Sequence, residues 1–200
     1  MKTTSLPSRS SFQSLTLASV LAVGALAPMA RAAEPAGEFS KPVIDIGIVV
    51  KDADRSAQFL TNAIGFKEVR GFPVTAELGK KIGLIDSHAT TVRVFVLEEV
   101  DPATRIKVLS FPQAAGKQPD QTSIHATLGI RYLTLYVKDM NGALERLKKA
   151  EVKLLGETPV ELGGGTWLVA VKDPDGNFIE LIGPWKTGPT PKTTGGNETK

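Results

Sequence analysis

VIDIGIVVKD at residues 43–52 returns in kind at residues 129–140 as GIRYLTLYVKDM, an apolar run closed each time by Val-Lys-Asp. A β-branched and aromatic run of this length suits a buried strand, and an Asp directly after it can cap a helix by accepting from that helix's first free amides. In the first copy the strand spans Val43–Val50, Asp52 is the cap, and a helix is predicted over Ala53–Ile64, with Phe59, Leu60, Ala63 and Ile64 on one face. Gly65 supplies the left-handed stop. Phe66–Phe72, TTVRVFVLEE from Thr90 and TRIKVLSF from Thr104 then read as three more strands.

The second copy repeats that order. Ile130–Val137 is the strand, Asp139 the cap, and Ala143, Leu144, Leu147 and Ala150 the buried helix face, while Glu151 stands where a glycine would end the helix more easily. Val152–Leu155, Thr166–Val171 and Asn177–Ile182 read as strands, with Asp173-Pro174-Asp175-Gly176 as a reverse turn between the last two. The predicted fold class is therefore α+β: two tandem βαβββ modules, residues 42–112 and 129–185, joined by a loop at 113–128. Each open sheet needs its neighbour to close a shared core.

The ends read differently. Lys2 and Arg9 precede LTLASVLAVGALAPMA with no acid between, and Ala30-Arg31-Ala32 has the small residues a signal peptidase reads, so residues 1–32 are predicted to be a signal peptide. The apolar run is shorter than the roughly 20 residues of a spanning helix. Residues 33–41 read as a linker and 186–200 as a disordered tail. The protein is thus expected to be exported, to periplasm or medium, with no membrane association after cleavage. Cleavage after Ala32 would take the 24 basic residues to 21, level with the 21 acidic ones. A neutral chain offers no electrostatic footprint for nucleic acid. The absence of cysteine excludes disulfides and thiolate catalysis.

GIVVKDADRSAQFLTNAIGF, FVLEE, the second VKD helix and DPDGNFIELIG together resemble the vicinal oxygen chelate superfamily of glyoxalase I, bleomycin-resistance proteins and extradiol dioxygenases. The resemblance implies that the paired modules form a cup-shaped curved sheet, whose enzymes hold a divalent metal with four side chains. Those four positions fall here on Asp45, Lys107, Tyr132 and Glu180. An ammonium and a phenol between two carboxylates make a poor cage for a divalent transition metal. Two arrangements are open: Lys107 takes the cation's place, neutralised by Asp45 and Glu180, with the Tyr132 hydroxyl completing the hydrogen bonds, or the four side chains point to solvent at the cup mouth. No cofactor is then expected, a divalent metal being the alternative.

Arg105 and Trp167 complete the expected ligand pocket, and Arg93 alternates with apolar residues so that it too could reach the cup. His88 and His125 fall in loops, away from the four positions, and no catalytic set can be assembled; His125, Glu98 and Glu99 are the acids or bases to watch. Gly163-Gly164-Gly165 leads into a strand and lacks the lysine of a phosphate loop, so it reads as a hairpin edge. The expected function is capture of a small molecule in the cup. The alternatives are a glyoxalase I-like lyase or isomerase, or a dioxygenase, with an atypical metal site, and a structural module whose cup is filled by its own side chains. The modules are free to pair within one chain or, in a homodimer, between two.

Overall fold

The computed structural model describes residues 37–186. The signal-peptide reading, residues 33–36 of the linker and residues 187–200 of the tail lie outside the described residues. Among the described residues eight strands form two four-stranded mixed sheets. In the first module β1 (Asp45–Val49), β2 (Lys67–Val74), β3 (Thr90–Val96) and β4 (Arg105–Leu109) take the order β1-β4-β3-β2. In the second, β5 (Tyr132–Tyr136), β6 (Val160–Gly163), β7 (Thr166–Lys172) and β8 (Phe178–Pro184) take the same order, β5-β8-β7-β6. In each, the first strand runs parallel to the last while the others pair antiparallel. The duplicated βαβββ reading therefore holds.

Asp52 caps α1 (Ala53–Gln58), its Oδ1 accepting from Asp54 N and Arg55 N, and Asp139 caps α3 (Met140–Lys149) by accepting from Asn141 N and Gly142 N. The first helix is not uniform as predicted. From Phe59 to Ile64 it widens into a π-helix, which Gly65 ends at φ 99°. Gly65 N and Phe66 N both donate to Leu60 O, at 3.0 and 2.9 Å. A further helix, α2 (Ala76–Ile82), interrupts the expected loop after β2. Ala150, predicted to be buried, is exposed because it caps the end of α3, and Glu151 takes the left-handed stop at φ 55°. Val152–Leu155 is not a strand: Leu154 makes a single bridge to Val171, and β6 begins only at Val160.

One core serves both modules. Leu60, Ala63 and Ile64 of the π-helix and Met140, Ala143 and Leu147 of α3 pack with Phe95, Ile106 and Val108 of the first sheet and Val169, Val171, Ile179 and Leu181 of the second. The two modules thus pair within this chain. They are also tied at corresponding corners, where Lys51 N donates to Asp175 Oδ2 (3.2 Å) and Lys138 Nζ lies 3.3 Å from Glu98 Oε1. Because side chains alternate across a strand, everything out of phase with this core looks to the other, inner face.

Candidate functional site on the inner face

Strand parity selects the inner-face residues. Ile46, Ile48 and Val50 belong to the core, so Asp45, Gly47 and Val49 face inward; likewise Arg105, Lys107 and Leu109 alternate with Ile106 and Val108. In the second sheet Tyr132, Thr134 and Tyr136 of β5 and Phe178, Glu180 and Ile182 of β8 alternate with core residues in the same way. All four positions predicted from the sequence therefore share the inner face.

Their pairing is simpler than predicted. Lys107 Nζ lies 2.8 Å from Asp45 Oδ2, both side chains about one-third exposed. Lys107 stands opposite Gly47 in the parallel register, so it reaches diagonally back to Asp45. Glu180 is not its second partner. It stands opposite Thr134, whose hydroxyl donates to Glu180 Oε2 at 2.8 Å. Tyr132 makes no hydrogen bond to either group and is 49% exposed, which corrects the expected four-part cluster. The physical reason is register: Gly47 has no side chain to offer Lys107, whereas Thr134, at the corresponding place of the second sheet, puts a hydroxyl directly across from Glu180. Thr134 was missed in the sequence, although its spacing of two from Tyr132 placed it on the same face.

The two halves of the inner face differ in access. In the first sheet Val92 and Val94 are buried with Val74, and Val69, Ile85 and Leu109 pack against them, so this half is partly filled by its own side chains. In the second sheet Leu168, Ala170, Phe178, Glu180 and Ile182 are only half-buried, and Tyr136 is 79% exposed. Lys172 lies over the Phe178 ring, 4.7 Å from its centroid, and donates to Gln121 O. Gln121 Nε2 donates to Asn177 Oδ1 (3.0 Å) and Gln118 Nε2 to Asp175 O (2.7 Å), which fastens the inter-module segment along this edge. Asp173 is held in its turn by donation from Asp175 N, Asn177 N and Asn177 Nδ2, while burial pushes its carboxyl above the usual range.

Two predicted pocket residues fare differently. Arg105 does lie on the inner face, beside Asp45 in a small cavity of about 330 Å³ that Phe39 and Lys41 also line. Trp167 does not: it is in phase with Val169 and Val171, packs against the core, and meets Trp185 edge-on at 4.6 Å. Arg93 is excluded as well. It is out of phase with Val92 and Val94 and donates to both oxygens of Glu68 and to Asp54 Oδ1 on the helix side. That bond holds the Glu68 carboxyl below its usual range and raises Arg93. His125 is exposed, 3.4 Å from Ser123 Oγ, while Glu98 and Glu99 are occupied by Lys138 and Lys67.

Sequence comparison shows what this arrangement belongs to. The family model of the Glyoxalase/Bleomycin resistance protein/Dioxygenase superfamily matches residues 43–181. The chain belongs to this superfamily. Comparison with curated proteins finds no match. Among solved structures, a glyoxalase family protein from Bacillus cereus is 22% identical with a TM-score of 0.61, the alignment covering 76% of this chain and 100% of that one. A glyoxylase/bleomycin resistance protein/dioxygenase domain from Frankia sp. gives 19% and 0.51 over 76% and 96% of the two chains. TnmS3, an antibiotic binding protein from Streptomyces sp., gives 19% and 0.50 over 74% and 99%. At these identities the likeness is one of fold.

The superfamily's divalent metal can be tested against the donors of this member. Among the described residues no three His, Asp or Glu side chains gather as a metal site would require. Asp45 is engaged by the Lys107 ammonium, and Glu180 by a neutral hydroxyl. An ammonium cannot donate a lone pair to a metal and repels one. These residues do not fit the metal.

Proposed function

We propose that this protein binds a small molecule on the inner face of its second sheet, without a metal. The observation that supports the reading is the Lys107–Asp45 ion pair at 2.8 Å, a fixed cation beside a carboxylate at two of the positions to which the sequence resemblance assigns metal ligands. The apolar, half-open surface of Leu168, Phe178, Ile182 and Tyr136, with Thr134, Glu180 and Lys172 as its polar groups, has the mixed lining of a ligand site. For a glyoxalase-like reaction that face offers Glu180 as its acid or base, held by the Thr134 hydroxyl, while Glu98 and Glu99 are paired with Lys138 and Lys67.

Export through the leader and cleavage after Ala32 belong to the same proposal. N-terminal sequencing of the protein recovered outside the cytoplasm should begin at Ala33, and a start at Met1 would overturn it. No helix of the described residues is long and apolar enough to cross a membrane. A homodimer of this chain, read from its mass in solution, would bring two such faces into one particle.

The binding reading is tested by dialysing the full chain against nickel, zinc and manganese, with elemental analysis and a melting curve after each. Substoichiometric metal and an unchanged melting temperature are expected; one retained equivalent that raises the melting temperature would sink it. A small-molecule panel screened by thermal shift should then give binders whose shift is lost in Tyr136→Ala, a substitution at an exposed position.

A further inference from the structure

On the side of the sheets away from the inner face, the helices of the two modules leave a half-open groove of about 1040 Å³. Phe59 and Ala63 of the π-helix and Val152 and Leu155 beyond α3 give it an apolar floor. Arg55, Arg146, Lys149 and Lys153 stand around it, with Lys172 at the edge it shares with the inner face, and none of the five forms an ion pair among the described residues. Two carboxylates also line it. Asp173 is consumed inside its own turn, which leaves Glu151 to oppose five cations.

Arg146 is the least compensated. Its Nη2 donates to Ile64 O at 3.1 Å, but its buried Nε has no partner, so the guanidinium is set against a neutral carbonyl and no acid. The backbone is unusual on both walls: a six-residue π-helix on one and a glutamate at φ 55° on the other. Such features cost stability and recur where a structure holds a functional surface in place.

We propose that this groove is a second ligand site, separate from the inner face, which takes an amphipathic organic anion. The apolar body lies on Phe59, Val152 and Leu155, and the carboxylate, sulfonate or phosphate lies among Arg55, Lys149 and Lys153. The volume suits a small organic molecule, and guanidinium and ammonium groups supply the charge-assisted bonds such a head group needs.

The probe is 8-anilinonaphthalene-1-sulfonate, titrated by fluorescence into the full chain, with N-phenyl-1-naphthylamine as its uncharged counterpart. The sulfonate should bind saturably, about ten-fold more tightly than the neutral dye, and Lys149→Glu and Lys153→Glu should each weaken it by about ten-fold, as loss of one charge-assisted contact implies. Both lysines are exposed, so far-ultraviolet circular dichroism should be unchanged. Tyr136→Ala on the inner face should leave this binding intact. Equal affinity for the two dyes, indifference to both lysine reversals, or loss of binding in Tyr136→Ala would each overturn the proposal, the last by assigning the dye to the inner face.

Discussion

Lys107 shows what a single side chain decides here. At about one-third exposure its pair with Asp45 sits between a solvated and a buried ion pair, so Lys107→Ala should cost about 1 kcal/mol, measured by urea unfolding, and Asp45→Asn combined with it should add little more. Ser56 makes the opposite case. Its hydroxyl is buried and without a partner, so Ser56→Ala should leave stability unchanged or raise it by up to about 1 kcal/mol. At Glu151 a side chain occupies a left-handed position at the end of α3, and Glu151→Gly should raise stability by about 0.5–1 kcal/mol. That irregularity was legible in the sequence, where a glutamate stands in place of the helix-ending glycine of the first module. The partner of Glu180 was not legible, because a shift of one residue in strand register would have exchanged Thr134 for a core residue.

Secondary-structure elements divide along the same line. The capped helices followed directly from Asp52 and Asp139, since a cap acts on amides two or three residues away. The π-helix did not, because the periodicity of residues 59–64, which pack with α3 in the core, is equally compatible with an α-helix. The last strand of the sheet edge was misplaced for a related reason: both Val152–Leu155 and Val160–Gly163 have strand-like segments beside β7, and tertiary contacts choose between them. Gly71 marks the bulge of β2, where an added Cβ would come within 2.2 Å of Val92 O, so Gly71→Ala should cost about 1–3 kcal/mol. The Glu68–Arg93–Asp54 bond ties β2, β3 and α1 together. Because the folded Glu68 carboxyl is held below its ordinary value of 4.5, its contribution is present above that pH and is lost as pH falls through the folded value. Glu68→Gln should flatten the decline in melting temperature below pH 4.5 and leave the slope above it unchanged.

At the scale of the whole molecule, the shared core makes the modules one cooperative unit. Leu147→Ala, from α3 of the second module, should cost about 2–5 kcal/mol and lower a single unfolding transition read alike by near- and far-ultraviolet circular dichroism; two separated transitions would mean that the modules unfold independently. Duplication, fold class and module order were determined by the sequence itself, because alternation, capping and turn chemistry are local and repeat with the chain. Which face Trp167 and Arg93 present, the pairing of Glu180 with Thr134, and the groove between the helices were decided only by the tertiary structure. Those depend on strand register and on how two sheets share one core, and both are settled by contacts between residues far apart in the chain.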